Sequence, residues 1–516
     1  MSAIKRVVSG SLASWLRIAV TIISQIVAVP IYINHWSIET YGIWMLVQST
    51  VTFMTVFDYA HHQYLGNEFL KLGKHKPAEI GEVLCSGMVI AFTISIATFF
   101  TVCALVLSGV LTRWVGIGVS ETHDFEMSLL LTAGTWALTV TFSGLLGRVL
   151  YPFGYFPLSA WGGVVLALVS TLASILAVCM GADLIATTIV TCVVNLTGHS
   201  VLTLLLLRIA KNEKLTNGRL NIQLGFLRFF ASMLLGLQYG LEVFRQQGVR
   251  FVLLPLSGII QMTAFSTMRT GANLAQQGLA TITAPLMPEL MGFLASRDQT
   301  RTEVAFSVIW LMLSVVLVPT VLILQYLSPA LFFLWTSGKI AFDSGLFGVL
   351  SLGVLVSALA QPSIAVVSGN NLLKPQFQIS LIATLITVGS MYLMVPVIGI
   401  KGAAIALLLG EILSLVSYVY VANKWLIASQ MQWPQSAFVS ASLSLGVAAV
   451  GMASITVFKE HAGLALIVSL IVQGFVISGY WLQLPMVARR KAATQFSKIL
   501  PSSYRQRLAK SVSDSD

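Results

Sequence analysis

Charge is what this sequence has least of. Asp, Glu, Lys and Arg together make up 9% of its 516 residues, where soluble proteins carry about 25%. With 56% of the residues hydrophobic, that deficit excludes a soluble globular enzyme and a disordered chain. Cysteine is scarce too. Cys85, Cys103, Cys179 and Cys192 lie in or beside apolar runs without metal-site spacing, so they read as small core residues, with no disulfide and no metal site. No GxxxxGK[ST] phosphate loop occurs, which removes ATP-driven pumps of that type. No basic domain stands apart from apolar sequence, so the formal net charge of +11 does not point to nucleic acid. The first apolar run lacks a small-residue cleavage site and reads as a first span, not as a signal peptide.

What the chain does have is long apolar runs. About 20 such residues cross a bilayer core as a helix. Fourteen runs qualify, near 11–33, 41–64, 83–111, 127–150, 158–180, 184–208, 229–254, 258–286, 304–328, 345–368, 376–397, 402–423, 436–457 and 462–485. The second, seventh and eighth contain polar residues, but connectivity and an internal repeat require them. At Glu68 and again at Glu289 a Glu ends an apolar run and a short basic loop follows. At the same distance in both cases a Glu-Val pair, Glu82-Val83 and Glu303-Val304, opens the next run. Pro157 and Pro375 each precede a Gly at one common spacing, Gly181 and Gly399. The step from Glu68 to Glu289 nearly equals the step from Pro157 to Pro375, which describes two copies of one unit in the same orientation. Such repeats are typical of alternating-access transporters, with substrate held between the halves.

The expected fold is therefore an all-α polytopic membrane protein of about 14 transmembrane helices. It has two six-helix lobes related by a pseudo-two-fold axis, plus two extra C-terminal helices. The expected parts are an N-terminal lobe over 1–210, a polar linker over 211–228, a C-terminal lobe over 229–428, the additional helices over 429–485 and a tail over 486–516. Basic residues set the orientation. Of the 30 lysines and arginines, 21 fall in segments on the side of the N-terminus. Only Arg113, Lys339, Lys401 and Lys459 fall on the other side. This asymmetry places both termini in the cytoplasm.

Four stretches carry a resemblance. ETYGIWMLVQS (39–49), FDYAHHQYLGNEFLKLGK (57–74), SGNNLLKPQFQIS (368–380) and VIGIKGAAIA (397–406) resemble bacterial polysaccharide flippases. These belong to the multidrug/oligosaccharidyl-lipid/polysaccharide exporter superfamily. Asp58 matches the Asp of that family's Asp-x-Gly pattern, whereas Ala60 replaces its Gly. The resemblance implies a flippase of the bacterial inner (plasma) membrane that moves undecaprenyl-diphosphate-linked oligosaccharide for O-antigen or exopolysaccharide. Its partners would be membrane lipids and a polysaccharide polymerase with its chain-length machinery, and it would need no cofactor. The alternatives are an ion-coupled multidrug exporter or a lipid II-type flippase on the same fold. A membrane polymerase or ligase would need a sizeable outer loop with catalytic residues. The longest, near 112–126, has no nucleophile-base arrangement, so no enzyme is expected.

Eight charged residues fall inside spans: Arg17, Arg148, Arg245, Arg250 and Arg269, with Asp58, Glu242 and Glu411. A charge at the bilayer centre costs at least about 2.5–3.5 kcal/mol on insertion scales, so each needs a partner or a wet cavity. Five cations against three acids leave a positive surplus, which suits an anionic substrate, and arginine is the side chain best shaped for phosphate. All five arginines are thus candidate substrate ligands. Arg17 and Arg250 also fit snorkelling, Arg148 a loop role, and Arg245 an ion pair with Glu242 on the face they share with Gln238. Arg269 is surrounded by Thr263, Thr267, Thr270, Asn273, Gln276 and Gln277, a face too polar for lipid. Asp58 with His61 or His62, and Glu411 alone, are candidates for binding a coupling proton or completing an ion pair. Asn195 and His199 form a similar i, i+4 pair.

Overall fold

A computed structural model describes residues 3–115, 119–216, 218–283 and 286–483. The tail expected over 486–516 lies outside the described residues. Among these residues the elements are helices: α1 (Ala3–His35), α2 (Ile38–Leu72), α3 (Pro77–Leu107), the short α4 (Val110–Val115), α5 (Val119–Val149), α6 (Phe156–Cys179), α7 (Leu184–Asn212), α8 (Ile222–Val243), α9 (Val249–Thr283), the short α10 (Leu286–Ala295), α11 (Gln299–Met312), α12 (Val318–Trp335), α13 (Ser344–Gly369), α14 (Leu373–Ile398), α15 (Ile400–Ala428), α16 (Gln435–Val457) and α17 (Ala462–Gln483). Two π-helical turns, Phe244–Gly248 and Leu313–Leu317, join α8 to α9 and α11 to α12.

Local chemistry sets the helix boundaries. Side-chain oxygens of Ser37, Asp183, Asn221, Asp298 and Asp343 accept backbone N–H groups at the starts of α2, α7, α8, α11 and α13, satisfying donors that the first helical turn leaves orphaned. The Pro–Gly pairs found in the sequence bracket α6 and α14. Pro157 and Pro375 sit in their first turns, and Gly181 and Gly399 follow their ends at φ +85° and +63°, the left-handed region that glycine enters without cost.

Twelve helical stretches are long and apolar enough to cross a membrane. The stretch 222–278 among them is interrupted at Gly258 (φ 81°, ψ 168°), which divides it in two. Helix α2 is 35 residues long but too polar to be counted. Gly258 and α2 thus restore the fourteen spans read from the sequence. Helix α17 shows what lipid selects. Leu464, Ile467, Val468, Ile471, Val472 and Phe475 along it are all exposed.

The chain divides into two compact units. The first takes in the chain up to Thr270 with Phe332–Ala341 and Ser380–Ala406. The second takes in Gly271–Leu331, Phe342–Ile379 and the chain from Leu407 on. In the first, α1 packs on α6, α5 on α7, α2 and α3, and α8 on α2 and α3. Helix α8 thus joins the first bundle, although it follows the polar linker. The linker is itself docked. Leu215 is buried, Asn221 N–H donates to Ser86 Oγ (2.9 Å) and Gly218 lies against the Gly81 backbone. Tyr155 donates to the Glu213 carboxylate (3.1 Å), which pushes its phenol pKa upward. In the second unit α13 and α11 pack on α16, and α16 on α17. The core there is an aromatic cluster of Phe306, Trp310, Trp433 and Phe438, with ring centroids 5.4–5.6 Å apart.

Candidate functional site

The first unit encloses a cavity of about 530 Å³ walled by α1, α2, α5, α6, α7 and α9. Its lining is hydroxyls and amides, among them Gln25, Gln48, Thr132, Thr139, Thr191 and Asn195, with His199 and the aromatic residues Tyr32, Tyr41, Trp44 and Trp136. Among the described residues no carboxylate contributes, and Arg250 is the single arginine or lysine of the lining. The aromatic residues are mutually braced. Tyr32 stacks on Trp36 at 5.2 Å and meets Trp44 edge-on at 6.1 Å, and its hydroxyl bonds Ser174 Oγ at 2.7 Å. Asn195 and His199, one turn apart on α7, both face the cavity, and His199 Nδ1 is 2.8 Å from Ser143 Oγ.

Among the described residues, Arg250 is held by uncharged groups alone. Its guanidinium donates to Ser49 Oγ (2.6 Å), Gln247 Oε1 (3.0 Å), Ser266 Oγ (3.2 Å) and, at 3.5 Å, to the Met45 carbonyl. Four neutral acceptors orient the fork without cancelling its charge, which is left for an anion. The other arginines lie elsewhere. Arg245 pairs with Glu242 (2.8 Å), which also accepts from Gln246 (2.9 Å). The ion-pair reading of these two is therefore what the geometry contains. Arg269 donates to the carbonyl of Gln246 in the π-helical turn (2.6 Å). Arg17 is exposed on α1, with its carbonyl accepting from Thr21 (2.9 Å). Arg148 donates to Gln63 Oε1 (2.9 Å) and lies 5.0 Å over the Tyr59 ring. Glu411 is half-buried midway along α15, in the second unit.

Asp58 is paired with His62 and not with His61. Its carboxylate, 3% exposed, lies 3.1 Å from His62 Nε2 and accepts from Thr141 (3.4 Å), and Thr141 in turn bonds Ser95. His61 is turned toward α8, with Nδ1 3.5 Å from Ser232 Oγ and its ring against Phe229. A buried carboxylate with one hydroxyl donor and one imidazole is stable only if the pair shares a proton or separates a charge. Among the described residues, no group of three His, Cys, Asp or Glu is placed to hold a metal. Sequence reasoning missed Ser49, Gln247 and the threonine-rich walls. Their signal was present as hydroxyl and amide residues inside spans, but only packing shows which of them face one void.

No protein-family model and no curated protein matches this chain. Solved structures do. It superposes on a multidrug resistance MATE family transporter of the MOP superfamily in an inward-facing conformation, with TM-score 0.63, 12% identity, and 83% of this chain and 99% of that one covered. The lipid II flippase MurJ in an inward closed conformation gives TM-score 0.63 at 12% identity, covering 92% of this chain and 98% of its own. A MOP superfamily transporter from Pyrococcus furiosus, described as having a binding pocket of reverse polarity, gives 0.56 at 12%, with 83% and 97% covered. The chain has the all-helical membrane fold that these transporters share.

Proposed function

We propose that this protein is a flippase. It carries an undecaprenyl-diphosphate-linked oligosaccharide across the bacterial inner membrane by alternating access, with both termini in the cytoplasm. One observation carries the reading: among the described residues, Arg250 lines a polar cavity without carboxylates and makes hydrogen bonds to neutral groups only. A membrane-embedded cation of this kind is costly unless its ligand brings the counter-charge. A diphosphate does so, and the surrounding hydroxyls, amides and aromatic rings suit sugars, which have polar edges and apolar faces. An exporter of organic cations would instead need an acidic cavity.

Further support comes from the last two helices. The MurJ superposition covers more of this chain than the MATE one, 92% against 83%. Between the last two helices, α16 and α17, runs an apolar groove of about 740 Å³ lined by Leu443, Val447, Val450, Leu464, Val468 and Val472. It is suited to a polyprenyl chain. The polymerase and its chain-length machinery would be partners downstream.

The test is reconstitution. Vesicles containing the purified protein and undecaprenyl-diphosphate-linked N-acetylglucosamine in both leaflets are exposed to a membrane-impermeant galactosyltransferase. Protein-dependent modification of the whole pool, against about half in protein-free vesicles, is expected. Modification limited to the outer-leaflet half in both samples refutes the reading.

A further inference from the structure

The cavity around Arg250 leaves Arg148 unexplained. Arg148 has five N–H donors. One Nη1 hydrogen bond, to Gln63, is its only hydrogen bond among the described residues. Its guanidinium lies 5.0 Å over the Tyr59 ring, and Tyr59 in turn stacks on Tyr239 of α8 at 4.8 Å and 27°. The result is a three-tier ladder of cation, ring and ring. Stacking fixes the plane of a guanidinium while leaving its N–H edge open. Neither phenol hydroxyl has a partner among the described residues. Among the described residues, Asp58, on the buried face of α2, makes its ion pair with His62 and none with Arg148. A position in the last turn of α5 accounts for a cation there through the helix dipole, but not for four idle donors.

The face that carries this ladder does not suit lipid. Gln48, Tyr59, Gln63 and Asn67 are exposed along α2, in contrast to the Leu, Ile, Val and Phe exposed along α17. Gln48 to Asn67 spans about 29 Å of helix, the thickness of a bilayer core. The ladder and the Arg250 site are both anchored on this one helix. Arg250 bonds Ser49 and Arg148 bonds Gln63. These anchors are about 21 Å apart along the helix axis, too far for one diphosphate to touch both.

We propose that Arg148, with Gln63 and the hydroxyls of Tyr59 and Tyr239, forms a second phosphate site, the loading station. It takes the lipid diphosphate before the headgroup reaches Arg250. The proposal rests on the flippase reading and adds an order to it. In the proposed orientation, the Arg148 end of α2 is the cytoplasmic end, where such a substrate is made available.

Site-resolved photocrosslinking tests it. An undecaprenyl diphosphate analogue bearing a photoreactive group beside the phosphates is incorporated with the protein in nanodiscs, and labelled peptides are read by mass spectrometry. Labelling is expected both around Tyr59–Asn67 and Tyr239 and around Ser49 and Arg250. Arg148→Gln should lower the first set about tenfold or more, the loss of one charge-assisted contact, while Arg148→Lys retains part of it. Arg250→Met should keep the first set and increase it, because lipid then waits at the loading station. Unchanged labelling at Tyr59 in Arg148→Gln overturns the proposal. So does loss of both sets in Arg250→Met, which would mean a single site. Inorganic pyrophosphate competing as well as the lipid would mark a free-phosphate site and also overturn it. Labelling at neither site in the wild type removes the flippase reading, and this proposal with it. If Arg148→Gln does not fold, Tyr59→Leu keeps the test decisive. It removes the stacked ring and the hydroxyl and should lower the same labels, and retention of those labels refutes the station.

Discussion

Replacing Arg250 with Met separates a ligand-binding arginine from a structural one, and the neighbouring geometry predicts the outcome. The substitution removes three good hydrogen bonds, to Ser49, Gln247 and Ser266, each worth about 1.5–3 kcal/mol when one partner is charged. It also removes a charge whose placement in the membrane costs at least about 2.5–3.5 kcal/mol. The groups left behind are mostly provided for. Ser49 Oγ already donates to the Met45 carbonyl (2.8 Å) and Ser266 Oγ to Met262 Sδ (3.5 Å). At the lower ends of these ranges the bonds lost, about 4.5 kcal/mol, exceed the charge penalty removed, about 2.5 kcal/mol, by about 2 kcal/mol, which is within the ordinary range for a point substitution. Binding has no such compensation. One charge-assisted contact to phosphate, at about 1.5–3 kcal/mol, corresponds to roughly a ten- to hundredfold weaker Kd at 1.4 kcal/mol per decade. The assay is a melting curve in detergent beside titration with undecaprenyl diphosphate in nanodiscs, with Arg250→Lys recovering part of the affinity. A large fall in melting temperature with unchanged affinity of the folded fraction would make Arg250 structural and refute the argument.

Three further outcomes follow from other parts of the molecule. Gly218→Ala drives a Cβ into the Gly81 carbonyl group, so the linker must lift from α3. Faster proteolytic cleavage within 213–221 is expected, and an unchanged digest would mean that the linker is not docked in solution. Asp58→Asn removes the acid of the buried pair with His62 but keeps its shape. Folding should persist, and transport should lose its response to an imposed pH gradient; a response equal to wild type rules out a coupling role for this pair. Single cysteines at the exposed Lys214 and Lys459 positions should be labelled by an impermeant reagent only from inside and only from outside, respectively. The reverse pattern would invert the orientation.

Some side-chain pairings follow from local spacing and others only from helix packing. Histidines 61 and 62 are neighbours in sequence, and both are in reach of Asp58 by spacing alone. Their directions on α2 differ by about 100°. Packing of α8 against one side of α2 and of α5 against the other assigned His61 to Ser232 and His62 to Asp58. Likewise Arg245 and Glu242 form their pair within one turn, so their association was readable locally. The Arg250 shell joins residues 201 positions apart, and nothing in local spacing announces it. Tyr59 of α2 and Tyr239 of α8 carry no charge and so escaped a search based on charge, although they stack beneath Arg148 of α5.

The sequence by itself determined the number of spans, their helical nature, the asymmetry of basic residues and the turns at Gly181 and Gly399. These depend on hydropathy averaged over one membrane-crossing length and on backbone preferences of single residues, and both are local. The tertiary structure decided which of the embedded charges are neutralised and which are left open. It joined α8 to the first bundle and put Glu242 on Arg245, Gln63 on Arg148 and, among the described residues, neutral groups alone on Arg250. An electrostatic environment is a sum over neighbours from every packed helix, so it exists only once the helices have been brought together.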